Sequence, residues 1–209
     1  MKIKDLADEI IVINLEKRKD RLENCLEQSK KYNFSFTRIE AIAGEDVENS
    51  RGLRLGEYAL LLSHKKAIEY CSDKNLKKAL ILEDDFQFYD DTEERLEEFN
   101  LIPDDWEVVY LGANHYNLGA GSIPPEKING GIIRIFTSFT THALLINQSC
   151  FPSISKILEN PVEPLDVCYL DIQKNKKCYS FSKSICKQYD SYSDIIYIDP
   201  QYNKRGLFD

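Results

Sequence analysis

Three adjacent carboxylates end an apolar run in this sequence. Residues 79–85 read Ala-Leu-Ile-Leu-Glu-Asp-Asp, so Glu83, Asp84 and Asp85 directly follow four apolar residues. Such a run is typical of a strand buried on both faces of a parallel sheet. Buried carboxylates need a positive neighbour, and a hard divalent cation with a nucleotide phosphate would supply one. The pattern predicts a metal and phosphate site at the carboxyl end of a strand. An acidic turn that simply ends a strand is the alternative.

Strand geometry separates the three side chains. Because side chains alternate across a sheet, Glu83 and Asp85 are expected on one face and Asp84 on the other. Glu83 and Asp85 are therefore the predicted metal ligands. Asp84 is better placed to bond backbone amides or a nearby cation.

A second polar segment follows a predicted first strand over residues 9–15 and opens a predicted helix over residues 19–32. Backbone amides and cations at such a junction suit a diphosphate. Asn14 is a candidate for hydrogen bonding to a base or ribose. Arg18 and Arg21 are candidates for pairing with phosphate or with Glu83 and Asp84. The alternative is a solvated run of charges at a helix start.

The strongest predicted helix covers residues 55–71 and contains Ser63 and His64 after three leucines. These two side chains are candidates for orienting the acidic strand end or touching a sugar, although a histidine here is also consistent with a core position. Residues 112–131 hold five glycines and two adjacent prolines. We expect a structureless stretch there, which serves as a lid or binding loop or is a disordered insertion.

The order of the elements indicates the fold class. Strands alternate with helices in the first half, which predicts an α/β sandwich with a mostly parallel central sheet. A chain of 209 residues suits one compact domain, expected over residues 1–200 with a tail over 201–209. The other predicted strands cover residues 34–39, 78–82, 106–111, 132–136, 142–146 and 178–185, and the other predicted helices cover 92–99, 148–158 and 165–173.

Composition excludes several classes of protein. The formal net charge of −8 argues against a nucleic-acid partner. No apolar run approaches the roughly 18 residues of a membrane span, and the N-terminus lacks the apolar stretch of a signal peptide, so we expect a cytoplasmic protein. The six cysteines form no CxxC pair, which favours free thiols over a zinc site or a disulfide framework.

Taken together, the motifs resemble those of glycosyltransferase family 25. Seven pieces occur in the family's order and cover most of the chain. They are Val12-Ile13-Asn14-Leu15 with Arg18, Asp20 and Arg21; Ala41-Ile42-Ala43-Gly44; Gly56-Glu57 through Ser63-His64; Ala79 to Phe86; Trp106 with Tyr110-Leu111-Gly112; Pro164-Leu165-Asp166; and Gln188 with Ser193-Asp194-Ile195.

This resemblance implies a GT-A-like, Rossmann-like α/β/α fold and an inverting transfer of galactose or glucose from a UDP-sugar. Mn²⁺ or Mg²⁺ held by Glu83 and Asp85 would neutralise the departing UDP. The acceptor would be a hydroxyl of a glycan, a lipooligosaccharide or a protein, with peripheral membrane association possible for an enzyme of this kind. Through the matching motifs, Ala41 and Glu57 join the donor-binding candidates.

The general base is sought outside the acidic strand end. Asp166 is the candidate, because Pro161 and Pro164 fix a turn that presents it at the start of a helix. An ordinary helix N-cap is the alternative for Asp166, and Asp171 is a weaker candidate base. Asp194 is a candidate third metal ligand, and Gln188 a candidate donor contact.

Two other functions remain open from the sequence. A non-catalytic relative would keep the fold and bind a nucleotide sugar or glycan, although buried carboxylates have little reason to persist without a cation. A sugar-phosphate nucleotidyltransferase also needs paired carboxylates. That class usually carries a glycine-rich phosphate loop near its N-terminus, and residues 10–21 contain no glycine.

Overall fold

The structure is a computed structural model that describes residues 1–48, 50–115 and 122–189. Its strands are β1 (Glu9–Asn14), β2 (Thr37–Glu40), β3 (Lys78–Glu83), β4 (Phe86–Phe88), β5 (Val108–Tyr110), β6 (Glu126–Asn129), β7 (Ile132–Arg134), β8 (Ala143–Asn147), β9 (Cys178–Phe181) and β10 (Cys186–Gln188). Its α-helices are α1 (Lys19–Lys31), α2 (Leu55–Asp73), α3 (Thr92–Arg95), α4 (Phe151–Ile157) and α5 (Leu165–Asn175).

Eight strands form one sheet in the order β2-β1-β3-β8-β5-β9-β7-β6. β1 pairs in parallel with both β2 and β3, and β5 pairs in parallel with β9. β8 lies between β3 and β5 and runs antiparallel to both, while β7 runs antiparallel to β9 and β6. Among the eight strands of this sheet, only β7 and β8 therefore run against the common direction, which confirms the predicted α/β fold with a mostly parallel sheet.

Apolar side chains alternate across this sheet and form two cores. On one face, Ile11 and Ile81 pack with the buried side of α2, α4 and α5. On the other face, Val12 and Leu80 pack with Cys25 of α1 and with β4. All six cysteines are free. No helix within the described ranges is long and apolar enough to cross a membrane.

Register fixes which ends of the strands meet. Asn14 lies opposite Glu40, and Ile13 lies opposite Glu83. The carboxyl ends of β1, β2 and β3 therefore lie side by side at one end of the sheet. Asn14 and the acidic residues that follow β3 are neighbours because of this register.

A close backbone crossing brings β10 to the same end of the sheet. Ile185 and Cys186 donate backbone hydrogen bonds to the carbonyl of Leu111, at 2.8 and 3.0 Å. A Cβ atom on Gly112 would overlap the carbonyl oxygen of Cys186 and approach His142 Nε2 to 2.7 Å. Glycine is required at this position because the two backbones approach so closely. β10 then pairs antiparallel with β4, and Gln188 lies opposite Phe86.

Several element predictions differ from the structure. The strand predicted over residues 34–39 begins only at Thr37, where pairing with β1 begins. The stretch predicted to be structureless contains β6, which pairs with β7 around Gly130, a residue at φ +53°. β4 and β10 were not predicted, because each has three residues and its partner lies about a hundred positions away in the chain. Residues 116–121 and the predicted tail lie outside the described residues.

Candidate active site

The three carboxylates lie at the carboxyl end of β3, as the sequence predicted. Glu83 is the last residue of the strand, and Asp84 and Asp85 form the turn that leads into β4. Their exposed fractions are only 9%, 6% and 7%. Each buried carboxylate therefore depends on its neighbours for stabilisation.

Asp84 is held by a buried cation and an amide. Arg21 Nη1 of α1 donates to Asp84 Oδ1 at 2.6 Å, and Asn14 Nδ2 donates to Asp84 Oδ2 at 2.8 Å. Burial raises the pKa of Asp84, and the Arg21 guanidinium and Asn14 counter only part of that effect. Of the two roles predicted for Arg21, the structure shows the pairing with a carboxylate of the acidic turn.

Asp85 has weaker compensation. Its closest cation contact is Arg21 Nη1 to Oδ2 at 3.4 Å, and Gln188 Nε2 donates to its two oxygens at 3.3 and 3.2 Å. Burial raises the pKa of Asp85 to about 7; Arg21 opposes this rise, while the charges of Glu83 and Asp84 add to it. Asp85 is thus the carboxylate with the most to gain from an added cation.

Glu83 lies on the face of the sheet that α2 covers, whereas Asp84 contacts α1. Thr141 Oγ1 donates to Glu83 Oε1 at 2.8 Å, and His64 Nε2 of α2 lies 3.3 Å from the same oxygen. Burial alone would raise the pKa of Glu83, but contacts with His64 and Thr141 bring it below its ordinary value. His64 is completely buried beside Glu83, and its role in orienting the acidic strand end stays a prediction.

The predicted separation of faces holds for Asp84 but not for Asp85. Glu83 contacts groups on the α2 side, and Asp84 contacts α1. Asp85 was expected beside Glu83, yet it shares Arg21 with Asp84. The reason is that β3 ends at Glu83, so the side-chain alternation of a strand does not extend through the turn.

Asn14 and Arg18 make contacts within the protein. Asn14 Nδ2 donates to Asp84 and to the carbonyl of Arg18 at 3.1 Å, and Asn14 Oδ1 accepts from Arg38 Nε at 2.9 Å. These bonds use both amide hydrogens of Asn14, which favours a positioning role over direct binding of a base. Arg18 forms a two-point pair with Asp20, at 3.0 and 2.8 Å.

Ser63 supports the loop after β2 rather than the acidic turn. Its hydroxyl donates to the carbonyl of Ala59 at 2.7 Å and accepts from the backbone N–H of Ile42 at 2.9 Å. Ala41 N–H in turn donates to the carbonyl of Asn14 at 3.0 Å. Ser63 therefore fixes the segment that contains Ala41 against the carboxyl end of β1.

A cavity opens over the acidic turn, and we call it the central cavity. Its lining combines apolar and polar side chains. The apolar ones include Ile13, Leu15, Ala41, Ile42 and Leu60, and the polar ones include Arg21, Ser63, Glu83, Asp84, Asp85 and Gln188. Such a lining can receive an apolar group together with an anion and its counter-cation.

A second cavity, which we call the side cavity, shares Glu83 and Gln188 with the central cavity. Asp166, Glu57 and Thr140 are among its other lining residues. The structure thus brings Asp166 to the acidic site across a separation of more than eighty residues. Glu57 also accepts the backbone N–H of Arg54 at 3.0 Å and so caps α2.

Asp166 does not occupy the N-cap position of its helix. Pro164 is the N-cap of α5, and Asp166 lies in the first turn, where its Oδ1 accepts the N–H of Val167 at 2.9 Å. Burial raises the pKa of Asp166, and the Val167 N–H partly counters this rise. Asp171 is exposed on the same helix and is not among the residues that line the side cavity.

Thr140 is strained at the wall of the side cavity. Its φ is +73°, which is unfavourable for a β-branched residue, and its Oγ1 is buried without a hydrogen-bond partner in the described structure. Flanking bonds hold it there. Ser138 N–H donates to Gln173 Oε1 at 2.7 Å on one side, and Thr141 bonds Glu83 on the other. Residues kept in such conformations cluster at functional sites.

The donor set fits a hard divalent cation. Glu83 and Asp85 supply carboxylate oxygens, which hard divalent cations prefer. Burial raises the pKa of Asp85 and the charges of Glu83 and Asp84 add to the rise, so a bound cation would stabilise its ionised form. Within the described ranges, no group of three His, Cys, Asp or Glu side chains is arranged to hold a metal ion. The predicted third ligand, Asp194, lies outside the described residues.

Two contributors to the site were missed from the sequence. Thr141 bonds Glu83, and Arg38 of β2 bonds Asn14. Neither lies in a motif with a recognisable spacing. Arg38 reaches Asn14 because β1 pairs with β2, and Thr141 reaches Glu83 because β8 pairs antiparallel with β3. The local sequence around these two residues therefore does not predict their contacts.

Similar solved structures include the A197 protein from STIV, which has a TM-score of 0.48 and 12% identity over 88% of this chain and 85% of that one. A mutant of the Drosophila β1,4-galactosyltransferase 7, in complex with manganese, UDP-Gal and xylobiose, has a TM-score of 0.45 and 8% identity. That match covers 96% of this chain and 78% of that one. Neither likeness reaches a TM-score of 0.5, so neither supports a statement about activity.

Curated relatives share sequence with part of the chain. Procollagen galactosyltransferase 2 of Mus musculus is 30% identical over 151 residues, which are 61% of this chain and 24% of that protein. A Homo sapiens relative named inactive glycosyltransferase 25 family member 3 is 28% identical over 145 residues, 57% of this chain and 23% of that protein. The chain thus spans about a quarter of the length of these relatives.

A family model matches the half of the chain that contains the acidic turn. The model describes glycosyltransferase family 25 (LPS biosynthesis protein) and matches residues 7–119. This range includes β1, α2, β3 and all three carboxylates. Since it covers more than half of the 209 residues, the chain belongs to glycosyltransferase family 25.

Proposed function

We propose that the chain is a metal-dependent, inverting glycosyltransferase of GT-A-like fold. It transfers galactose or glucose from a UDP-sugar to a hydroxyl of a glycan or protein acceptor. One observation carries this proposal: Glu83 and Gln188 line both the central and the side cavity, so the acidic turn and Asp166 line adjoining cavities. Family membership supports the reaction class.

The central cavity suits the donor. Its apolar lining residues, among them Leu15, Ala41 and Leu60, would offer a surface for the uracil ring. Two of its carboxylates, Asp84 and Asp85, lie beside Arg21. Glu83 and Asp85 would hold Mn²⁺ or Mg²⁺, which when bound supplies positive charge to the departing UDP. Arg21 and Asn14 keep Asp84 in place, so the turn is positioned before the donor binds. Gln188 does the same for Asp85.

The side cavity suits the acceptor. Asp166 lies there with a pKa raised by burial, and a carboxylate with a raised pKa is a stronger base. Asp166 would take the proton of the acceptor hydroxyl as the oxygen attacks the anomeric carbon on the side opposite the leaving UDP. The C–O bond to UDP breaks as the new C–O bond forms. A single displacement of this kind inverts the anomeric configuration.

The test measures UDP release from UDP-galactose and UDP-glucose, with Mn²⁺ or with a chelator. The wild type should release UDP only with the metal, and Asp85→Asn should release little. Asp166→Asn should bind UDP normally, by thermal shift with Mn²⁺, and still fail to transfer. Asp104→Asn, an exposed turn residue before β5, is the matched control. Turnover without metal, or a normal rate for Asp85→Asn, would overturn the mechanism.

A non-catalytic family member is the second candidate. One relative carries the word inactive in its name. In addition, Arg21 and Asn14 already donate hydrogen bonds to Asp84, and Gln188 donates to Asp85. Such a protein would keep these contacts for stability alone. Equilibrium dialysis distinguishes the two functions: binding of neither Mn²⁺ nor UDP would favour the non-catalytic one.

A further inference from the structure

An exposed ion pair lies between the central cavity and a neighbouring one, which we call the outer cavity. Lys17 Nζ contacts the two carboxylate oxygens of Glu45 at 3.0 and 3.1 Å. Lys17 lies between β1 and α1, and Glu45 lies in the short 3₁₀ turn Gly44–Asp46. Leu15, Lys17, Ala41 and Glu45 line both cavities. The pair thus lies at the boundary between these two adjoining cavities, which we together call the cleft.

Two cations, Arg21 and Lys17, line the central cavity, and they differ in how firmly they are held. Arg21 is buried against Asp84, with both side chains about 10% exposed. Lys17 and Glu45 have exposed fractions of 49% and 64%. An exposed pair contributes only a few-fold to an equilibrium, whereas breaking a buried pair is costly. Arg18 is paired with Asp20 and is not among the residues lining either cavity. Of the two cations that line the central cavity, Lys17 is therefore the one that an incoming anion can recruit more easily.

We propose that Lys17 binds the diphosphate of the donor, and that Glu45 holds Lys17 across the cleft until the diphosphate replaces it. This inference rests on the proposed nucleotide-sugar donor and adds a specific phosphate ligand to it. The ammonium group of Lys17 exchanges one anionic partner for another with more charge. Glu45 acts as a competitor in this exchange, so it opposes donor binding while Lys17 favours it.

Substitutions of Lys17 and of Glu45 should therefore change the affinity for UDP in opposite directions. Lys17→Gln removes the phosphate ligand and is expected to weaken UDP binding about tenfold, the usual effect of losing a charge-assisted hydrogen bond. Glu45→Gln releases Lys17 and is expected to strengthen UDP binding about twofold to fivefold, the effect of an exposed pair. A purely structural salt bridge would instead give changes of the same sign.

Calorimetry with Mn²⁺ tests this, using UDP and the phosphate-free probe uridine. Both variants should bind uridine like the wild type, and the affinity of Lys17→Gln for UDP should depend less on salt. Lys31→Gln removes another exposed pair, with Asp90 at 2.5 Å, and should change nothing.

Two outcomes would overturn the inference, and they are distinguishable. If the wild type binds UDP but Lys17→Gln and Glu45→Gln shift its affinity equally or not at all, Lys17 is not a phosphate ligand. If the wild type does not bind UDP, the proposed function fails and this inference fails with it.

Discussion

Replacing Asp85 with asparagine should stabilise the metal-free protein at alkaline pH. Burial and the charges of Glu83 and Asp84 raise the pKa of Asp85 from 3.8 to about 7. Each pKa unit corresponds to about 1.36 kcal/mol, so ionised Asp85 costs the fold about 4 kcal/mol. An asparagine has a similar shape, can still accept one bond from Gln188, and carries no charge. For a chain of this size, the gain corresponds to roughly 8 to 16 °C in Tm.

The sign of the pH dependence follows from proton binding. The folded protein keeps the Asp85 proton up to pH about 7, and the unfolded chain releases it near the ordinary pKa of 3.8. Between these values the folded state binds more protons, so the contribution of Asp85 to stability falls as pH rises and stays low above pH 7. The advantage of Asp85→Asn should be near zero at pH 4 and largest at pH 8.

A difference measurement isolates this residue. Burial lowers the pKa values of His115 and His142 to about 4, so their contribution to stability rises with pH, in the opposite direction. Both proteins contain these histidines, and subtracting one melting curve from the other removes them. Thermal unfolding with a chelator at pH 4, 6 and 8 is the assay. The same Tm for both proteins at pH 8 would refute the argument that ionising the buried Asp85 destabilises the fold.

Three further substitutions test the site and its support. Arg21→Gln should destabilise the protein by about 3 to 5 kcal/mol, because buried carboxylates lose their cation, whereas Lys30→Gln on the exposed side of the same helix should not shift a urea midpoint. Thr140→Gly should raise stability by about 1 kcal/mol by removing left-handed strain; a lower urea midpoint would show that the threonine side chain matters more than its φ. Gly112→Ala should destabilise strongly, because its Cβ would overlap the Cys186 carbonyl, and a Tm equal to that of the wild type would show that β10 can shift away.

Local patterns predicted the elements that carry the acidic site. The helix expected over residues 55–71 runs from Leu55 to Asp73, and the strand expected over 78–82 runs from Lys78 to Glu83. In both, the signal is the spacing of apolar residues within one element. β1 and β3 are adjacent and parallel in the sheet, so their carboxyl ends lie side by side. The position of Asn14 next to Asp84 then followed from topology.

The spacing of residues in the sequence did not predict the contacts between distant segments. Thr141 reaches Glu83 because β8 pairs with β3, and Gln188 reaches Asp85 because β10 crosses the end of β5. The motifs predict that Gln188 contacts the donor, and in the structure its amide donates to Asp85. The order of the elements in the sequence does not determine which strand lies beside β3. It therefore does not determine which hydroxyl donates a hydrogen bond to Glu83.

The place of β8 has a consequence for synthesis on the ribosome. β8 fills the gap between β3 and β5, but its residues are made some sixty positions after β3 is complete. During that interval the apolar edge of β3 has no partner strand, and exposed strand edges invite association with other chains. Pairing over such a sequence separation is also slow. The nascent chain should therefore depend on chaperones until residue 147 has left the exit tunnel, and a ribosome stalled between β5 and β8 should display an aggregation-prone intermediate.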